Sequence, residues 1–96
     1  GINEATPANE NVALYQNYPN PAKLQTNIPF SVKKTGTVTL EVFDITGTKV
    51  MSKDLGYKTF GNHNYVLSTA ALNSGIYFYT LTINGAAVTR RMTVTR

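Results

Sequence analysis

From Val12 onward the chain alternates apolar and polar residues with a period near two. Val38, Leu40 and Val42 alternate with Thr37, Thr39 and Glu41, the pattern of a strand with one buried face. Ile28, Phe30 and Val32 do the same around Pro29, whose missing N–H suits an edge strand better than a central one. Near the end, Val88, Met92 and Val94 share a phase with Arg90 and Arg96, while Ala87, Thr89, Arg91, Thr93 and Thr95 take the other face. Arg91 therefore points away from the apolar side. The run IYFYTLTI (76–83) is apolar in both phases, with Tyr77, Tyr79, Leu81 and Ile83 in one and Ile76 and Phe78 in the other. That pattern marks a central, buried strand rather than a display surface.

Turn signals punctuate these runs at regular intervals. Thr35-Gly36 precedes one strand, Asp44-Ile45-Thr46-Gly47 separates two others, and Gly61-Asn62, Asn73-Ser74-Gly75 and Asn84-Gly85 follow. Asn84-Gly85 is the strongest hairpin signal, because both residues accept the positive φ of a type I′ turn. Asp44 is placed to accept backbone N–H groups in an Asx turn. About seven strands are expected, near 12–18, 25–33, 37–44, 48–55, 62–67, 76–83 and 87–95. Only residues 68–73 have room for a helical turn. The fold class is all-β, an antiparallel β-sandwich.

The stretch LYQNYPNP (14–21) interrupts the alternation. Pro19 and Pro21 each fix φ and remove a donor, and Asn20 precedes a proline, so no ladder runs through them. The segment reads as a stiff corner carrying the first strand from one sheet edge toward the next.

At 96 residues the chain is one domain's worth. Residues 1–11, polar and rich in Asn, Glu and Ala, read as a linker or lead-in, and 12–96 as the folded domain. The chain begins at Gly, as a piece of a longer protein would. GINEATPANEN lacks the apolar centre of a signal peptide, and no apolar run approaches the ~20 residues of a membrane span. There are no cysteines, which excludes disulfides and thiolate metal sites.

Charge is uneven. Residues 1–54 carry five lysines and five acids, which cancel, while residues 55–96 carry Lys58, Arg90, Arg91 and Arg96 and no acid. The whole net charge of +4 thus belongs to the second half. Four cations are too few to call for nucleic acid.

No acid, base and nucleophile converge, and no metal, phosphate or nucleotide motif is present, so neither catalysis nor a cofactor is expected. His63, in Gly61-Asn62-His63-Asn64, reads as a loop residue. Tyrosines such as Tyr57 and Tyr65 offer a carbohydrate-binding reading, against which core packing is favoured.

Taken in order, the punctuation resembles the C-terminal sorting domain of proteins exported by the type IX secretion system of Gram-negative bacteria. LYQNYPNP looks like its entry motif and TNIPFSV (26–32) like its second strand. GTVTLEVFDITGTKV (36–50) is similar to its central hairpin. LNSGIYFYTLTING (72–85) resembles its Gly-x-Tyr strand, and RRMTVTR (90–96) its ending, which often has lysine where Arg91 stands.

The resemblance implies an immunoglobulin-like sandwich with no catalysis of its own, at the C-terminus of a cargo protein. The cargo would reach the periplasm first, and an outer-membrane translocon and its shuttle protein would then recognise the tail. A sortase-like cysteine peptidase would cut near the linker, leaving the cargo at the cell surface or secreted. Gly75, Tyr77, Arg91, Val94 and Arg96 are the expected recognition residues. Gly75 would set a turn, Tyr77 would brace the last hairpin, and Arg91, Val94 and Arg96 would meet the receptor through an exposed terminal edge. Exposed edges would also permit self-association. The alternative is a structural, adhesive or carbohydrate-binding module of a surface enzyme.

Overall fold

A computed structural model describes residues 8–95. Seven strands follow in chain order: β1 (Val12–Leu14), β2 (Gln25–Val32), β3 (Gly36–Asp44), β4 (Lys49–Lys58), β5 (Gly61–Ser68), β6 (Gly75–Ile83) and β7 (Ala86–Val94). They form two antiparallel sheets, ordered β1-β2-β5 and β4-β3-β6-β7. This is an immunoglobulin-like β-sandwich in which the fourth strand joins the larger sheet.

The inward phase of each strand builds the core. Ile28, Phe30 and Val32 from β2 face Val38, Leu40 and Val42 from β3, together with Tyr79, Leu81 and Ile83 from β6 and Met92 and Val94 from β7. Nearly all of these are fully buried. Burying such a side chain contributes about 1.5–3 kcal/mol, so the alternation specifies which face turns inward.

The turns follow their local chemistry. Asn84 and Gly85 both have positive φ (52° and 76°), and Ile83 pairs with Ala86 across them, a two-residue I′ hairpin. Gly36 lies under that tip: a Cβ there would collide with the Asn84 amide, which donates to the Thr35 carbonyl at 3.0 Å. At the β3–β4 turn, Asp44 Oδ1 accepts the Thr46 hydroxyl at 2.6 Å and the Thr46 and Thr48 N–H groups at 3.0 Å each. These bonds, the Thr46 hydroxyl foremost, hold the Asp44 carboxyl below its usual pKa.

Three expectations need correction. Pro29 lies in β2, the middle strand of its sheet, not at an edge. It is tolerated because its nitrogen faces β1 just where β1 stops: Tyr15 N–H donates to the Pro29 carbonyl at 3.0 Å. The Tyr15 carbonyl, with no Pro29 N–H to accept, takes the Tyr79 hydroxyl instead at 2.8 Å. His63 is a strand residue of β5, opposite Phe30, and its ring stacks on that phenyl with centroids 5.4 Å apart. Its Nε2 lies 2.8 Å from the Thr59 carbonyl. The first strand is short, ending at Leu14, because the chain then turns toward the opposite sheet. Of residues 68–73, where a helical turn had room, Ser68 ends β5 and Thr69 to Leu72 form a turn closed by Leu72 N–H to the Thr69 carbonyl.

Candidate recognition surface around the last strand

The Pro-Asn-Pro corner and the last strand, at opposite ends of the sequence, are bound to one another. After β1 the backbone stays on β2 through a reciprocal Tyr18–Asn27 bridge, crosses the side of the sandwich, and reaches β7 at Ala22. There Ala22 N–H donates to the Thr93 carbonyl and the Ala22 carbonyl accepts Thr95 N–H, both at 2.8 Å. Asn20 Oδ1 accepts Thr93 N–H at 3.0 Å. Gln16 Nε2 donates to the Arg91 carbonyl at 2.9 Å. In the other direction, Arg90 Nε donates to the Leu14 carbonyl at 2.9 Å. Residues 14–22 thus form a clasp along the outer border of β7.

Buried polar groups hold the clasp in shape. Asn17 is 2 % exposed, and its Nδ2 donates to Thr26 Oγ1 and the Pro19 carbonyl. Its N–H donates to the Tyr79 hydroxyl at 2.9 Å, and that hydroxyl donates onward to Tyr15. Tyr79 therefore relays between two backbone groups of the clasp from the centre of β6. Burial raises its pKa from 10.0 to about 12, opposed by the Asn17 N–H and the nearby Arg90 charge. No buried side-chain nitrogen or oxygen among the described residues lacks a partner.

The expected edge is consequently closed along much of its length. Residues 91, 93 and 95 direct backbone groups away from β6, and the Arg91 carbonyl, both groups of Thr93 and the Thr95 N–H are engaged by the clasp. The outward backbone groups of Ala87 and Thr89, and the Arg91 N–H, have no partner among the described residues.

Of the five expected recognition residues, the structure brings four into two alternate rungs of the β6–β7 ladder or next to them. Gly75 pairs with Val94 and Tyr77 with Met92. Val94 is 1 % and Tyr77 8 % exposed, so both side chains face the core and present nothing to a receptor. The Tyr77 hydroxyl donates at 2.8 Å to the carbonyl of Asn73, four residues upstream. This is a tyrosine corner: it braces the entry into β6 rather than the last hairpin. Gly75 has no positive φ, and a Cβ there would make ordinary contact with the Tyr77 ring. Arg91 is exposed on the outer face, opposite Phe78, which in turn lies opposite Phe43. Lys49 completes that row beyond Phe43. Arg96 lies outside the described residues.

The outer face of the larger sheet therefore carries two half-buried phenyl rings between Arg91 and Lys49. Lys49 is paired with Glu41 at 3.0 Å. The Arg91 guanidinium has no ion pair or side-chain hydrogen bond among the described residues. The sequence reading missed Gln16, Asn17 and Asn20 as functional positions; their amide side chains beside two prolines were the available signal. Tyr57 and Tyr65 do not combine into a sugar platform. Tyr57 lies on the outer face of β4, whereas Tyr65 packs inward from β5 against the core. No group of three or more metal-ligating side chains occurs among the described residues. No helix among them is long and apolar enough to cross a membrane.

A family model described as the secretion system C-terminal sorting domain matches residues 16–95. The chain belongs to this family. The match opens inside the clasp and closes where the clasp releases the last strand. The sorting domain carries a type IX secretion signal, engages the secretion machinery and directs export across the outer membrane to the cell surface or beyond. Its family is not catalytic. No significant match was found among curated proteins or solved structures.

Proposed function

We propose that the secretion machinery reads the outer face of β7 as held by the clasp, with Arg91 as the charged contact. The observation that carries this is the division of labour along the strand. The backbone at 91–95 is tied to residues 16–22, while the Arg91 side chain stands free beside Phe78. Such a surface fits an acidic partner with a small apolar centre. The outer-membrane translocon or its shuttle protein would supply it after the cargo has entered the periplasm. Arg96 would extend the same charge. Gly75, Tyr77 and Val94 act from behind, by keeping the ribbon in place, and the domain performs no chemistry of its own.

Deleting residues 90–96 would strip the clasp of its partner and unfold the signal, so point substitutions are the sharper test. A periplasm-routed reporter bearing Arg91→Glu should accumulate in the periplasm, whereas Arg91→Lys should still be exported. Normal export of a folded Arg91→Glu reporter would overturn the proposal.

In this reading the chain from Asn9 onward belongs to the folded unit, and peptidase cleavage falls on the N-terminal side of Asn9. Asn9 Oδ1 accepts the Asn11 and Val12 N–H groups at 2.8 and 3.0 Å, and the Asn11 carbonyl accepts Lys33 N–H at 2.7 Å. A peptidase of the sortase-like kind needs an extended, accessible segment, which this turn does not offer. The released domain should therefore retain Asn9, as mass spectrometry would show. A fragment starting beyond Asn9 would contradict this.

A further inference from the structure

The four sheet borders are not treated alike. The outer side of β7 is clasped from the Arg91 carbonyl onward, and β1 is bridged by Ala8 at Ala13 and held to β7 through Arg90. The border at β4 carries Lys49, Lys53, Asp54 and Lys58, and its register against β3 shifts at Val38/Thr39 and again at Val42/Phe43. Charges and bulges of this kind discourage strand addition. The border at β5 has neither. Its eight residues, GNHNYVLS, contain no Lys, Arg, Asp, Glu or Pro, and they pair with β2 in one unbroken register. Val66 is 50 % exposed there.

The phase of the free groups on β5 is fixed by β2. Asn27 and Pro29 use their backbone toward the β1 side, at Tyr18 and Tyr15. Alternation then turns Ile28 and Phe30 toward β5, where they meet Tyr65 and His63. The backbone groups of Asn62, Asn64, Val66 and Ser68 consequently point outward, and none has a partner among the described residues. Their side chains all lie exposed on the outer face of the sheet.

We infer that the sorting domain self-associates through β5, two copies pairing antiparallel about a two-fold axis at Tyr65. In this register Asn64 meets the second copy's Val66 and Asn62 meets its Ser68, so every outward residue of both strands finds a partner. The two smaller sheets then run on as one sheet, β1-β2-β5 continued by the second copy in reverse order. A second copy is the occupant favoured by charge, because a two-fold axis sets each residue against its own kind or a near neighbour. An uncharged strand meets no repulsion in that arrangement. His63 turns inward onto Phe30, and the Tyr65 rings, half-buried in each copy, meet beneath the joint. Eight residues per strand make a small contact, so the association is weak and concentration-dependent.

The test uses the 96-residue chain, with sedimentation velocity for mass and exchange-monitored NMR for the strand. With rising concentration the mass should move toward twice the monomer. Exchange of the Asn62, Asn64, Val66 and Ser68 amides should slow by about tenfold, while those of His63, Tyr65 and Leu67, already bonded to β2, stay unchanged. The variant Asn64→Lys/Val66→Lys sets lysines opposite one another across the joint and should remain monomeric. The variant Asn64→Glu/Val66→Lys sets opposite charges together in this register and should dimerise at least as well as the parent. A parent that stays monomeric, association that survives the double lysine change, or protection appearing at other amides would each overturn the inference. Exchange in the unmodified chain decides the matter even if a variant fails to fold.

Discussion

Asn20 Oδ1 stands 3.0 Å from the amide nitrogen of Thr93, where the carbonyl of an adjoining strand would otherwise lie. One side-chain amide, seventy-three residues away in sequence, thereby occupies a bonding position on the border of β7. Ala22 takes up the neighbouring ones through its own backbone. The segment that opens the sorting domain is thus part of the structure that closes it, and disturbance at either end should be felt at the other.

Tyr79 should be the most sensitive point of this arrangement. Tyr79→Phe preserves the ring in the core but leaves the Asn17 N–H and the Tyr15 carbonyl without their shared partner. A loss of about 1–3 kcal/mol is expected, since a buried unsatisfied group costs its desolvation. For a domain of this size each kcal/mol lowers Tm by roughly 4–8 °C, which a calorimetric scan would register. An unchanged Tm would show that the relay contributes nothing.

The same hydroxyl predicts behaviour in alkali. Its folded pKa, about 12, lies above the ordinary 10.0, so the folded state favours the neutral phenol. The stability this contributes is fully present below pH 10.0 and disappears as pH rises toward 12. Absorbance titration should show a tyrosine component ionising near 12, at or together with alkaline unfolding, and Tyr79→Phe should remove that component.

Asp44 predicts the opposite at the acid end. Its folded pKa is depressed below 3.8, chiefly by the Thr46 hydroxyl, so its contribution is present above 3.8 and is lost as pH falls through the depressed value. Carboxyl NMR shifts should place its titration below 3.8, and Thr46→Ala should move it back upward. The turn is solvent-exposed, so the effect is local: the Thr48 and Gly47 amides should broaden first.

Two glycines should answer differently to the same change. Gly36→Ala drives a methyl into the Asn84 amide and should destabilise by about 1–3 kcal/mol, as overpacking does. The second change Asn84→Gly should restore most of that loss, because it removes the obstructing side chain and accepts the same positive φ. Gly75→Ala meets only the Tyr77 ring at van der Waals distance and should fold almost normally. Thermal melts of the three variants would separate these cases.

Much of the fold was legible because its causes are local. Period-two alternation marks β2 and β3, Asn84-Gly85 marks its own hairpin, and Asp44 marks its Asx turn; each needs only neighbours in sequence. The errors share a different cause. Pro29 looks like an edge residue until one knows that β1 ends at Leu14, so that the absent N–H faces a place where no ladder bond is required. His63 looks like a loop residue until Phe30 is opposite it. The candidate site was legible only in part. Arg91 was read from its phase, and its exposure agrees, but the alternation that placed Val94 on the other face also buries it. The clasp left only its prolines as a trace, since the partners of Gln16, Asn17 and Asn20 lie across the sandwich on strands that no nearby pattern can indicate.

Amide exchange at Thr95 tests the central claim, that residues 16–22 close the border of the last strand. In the parent domain Thr95 N–H, bonded to the Ala22 carbonyl, should exchange slowly alongside Thr93 N–H. Substituting Gln16→Ala and Asn20→Ala together should accelerate both while leaving Met92, bonded to β6, protected. Rapid exchange of Thr93 and Thr95 in the parent, or no change on substitution, would contradict the account.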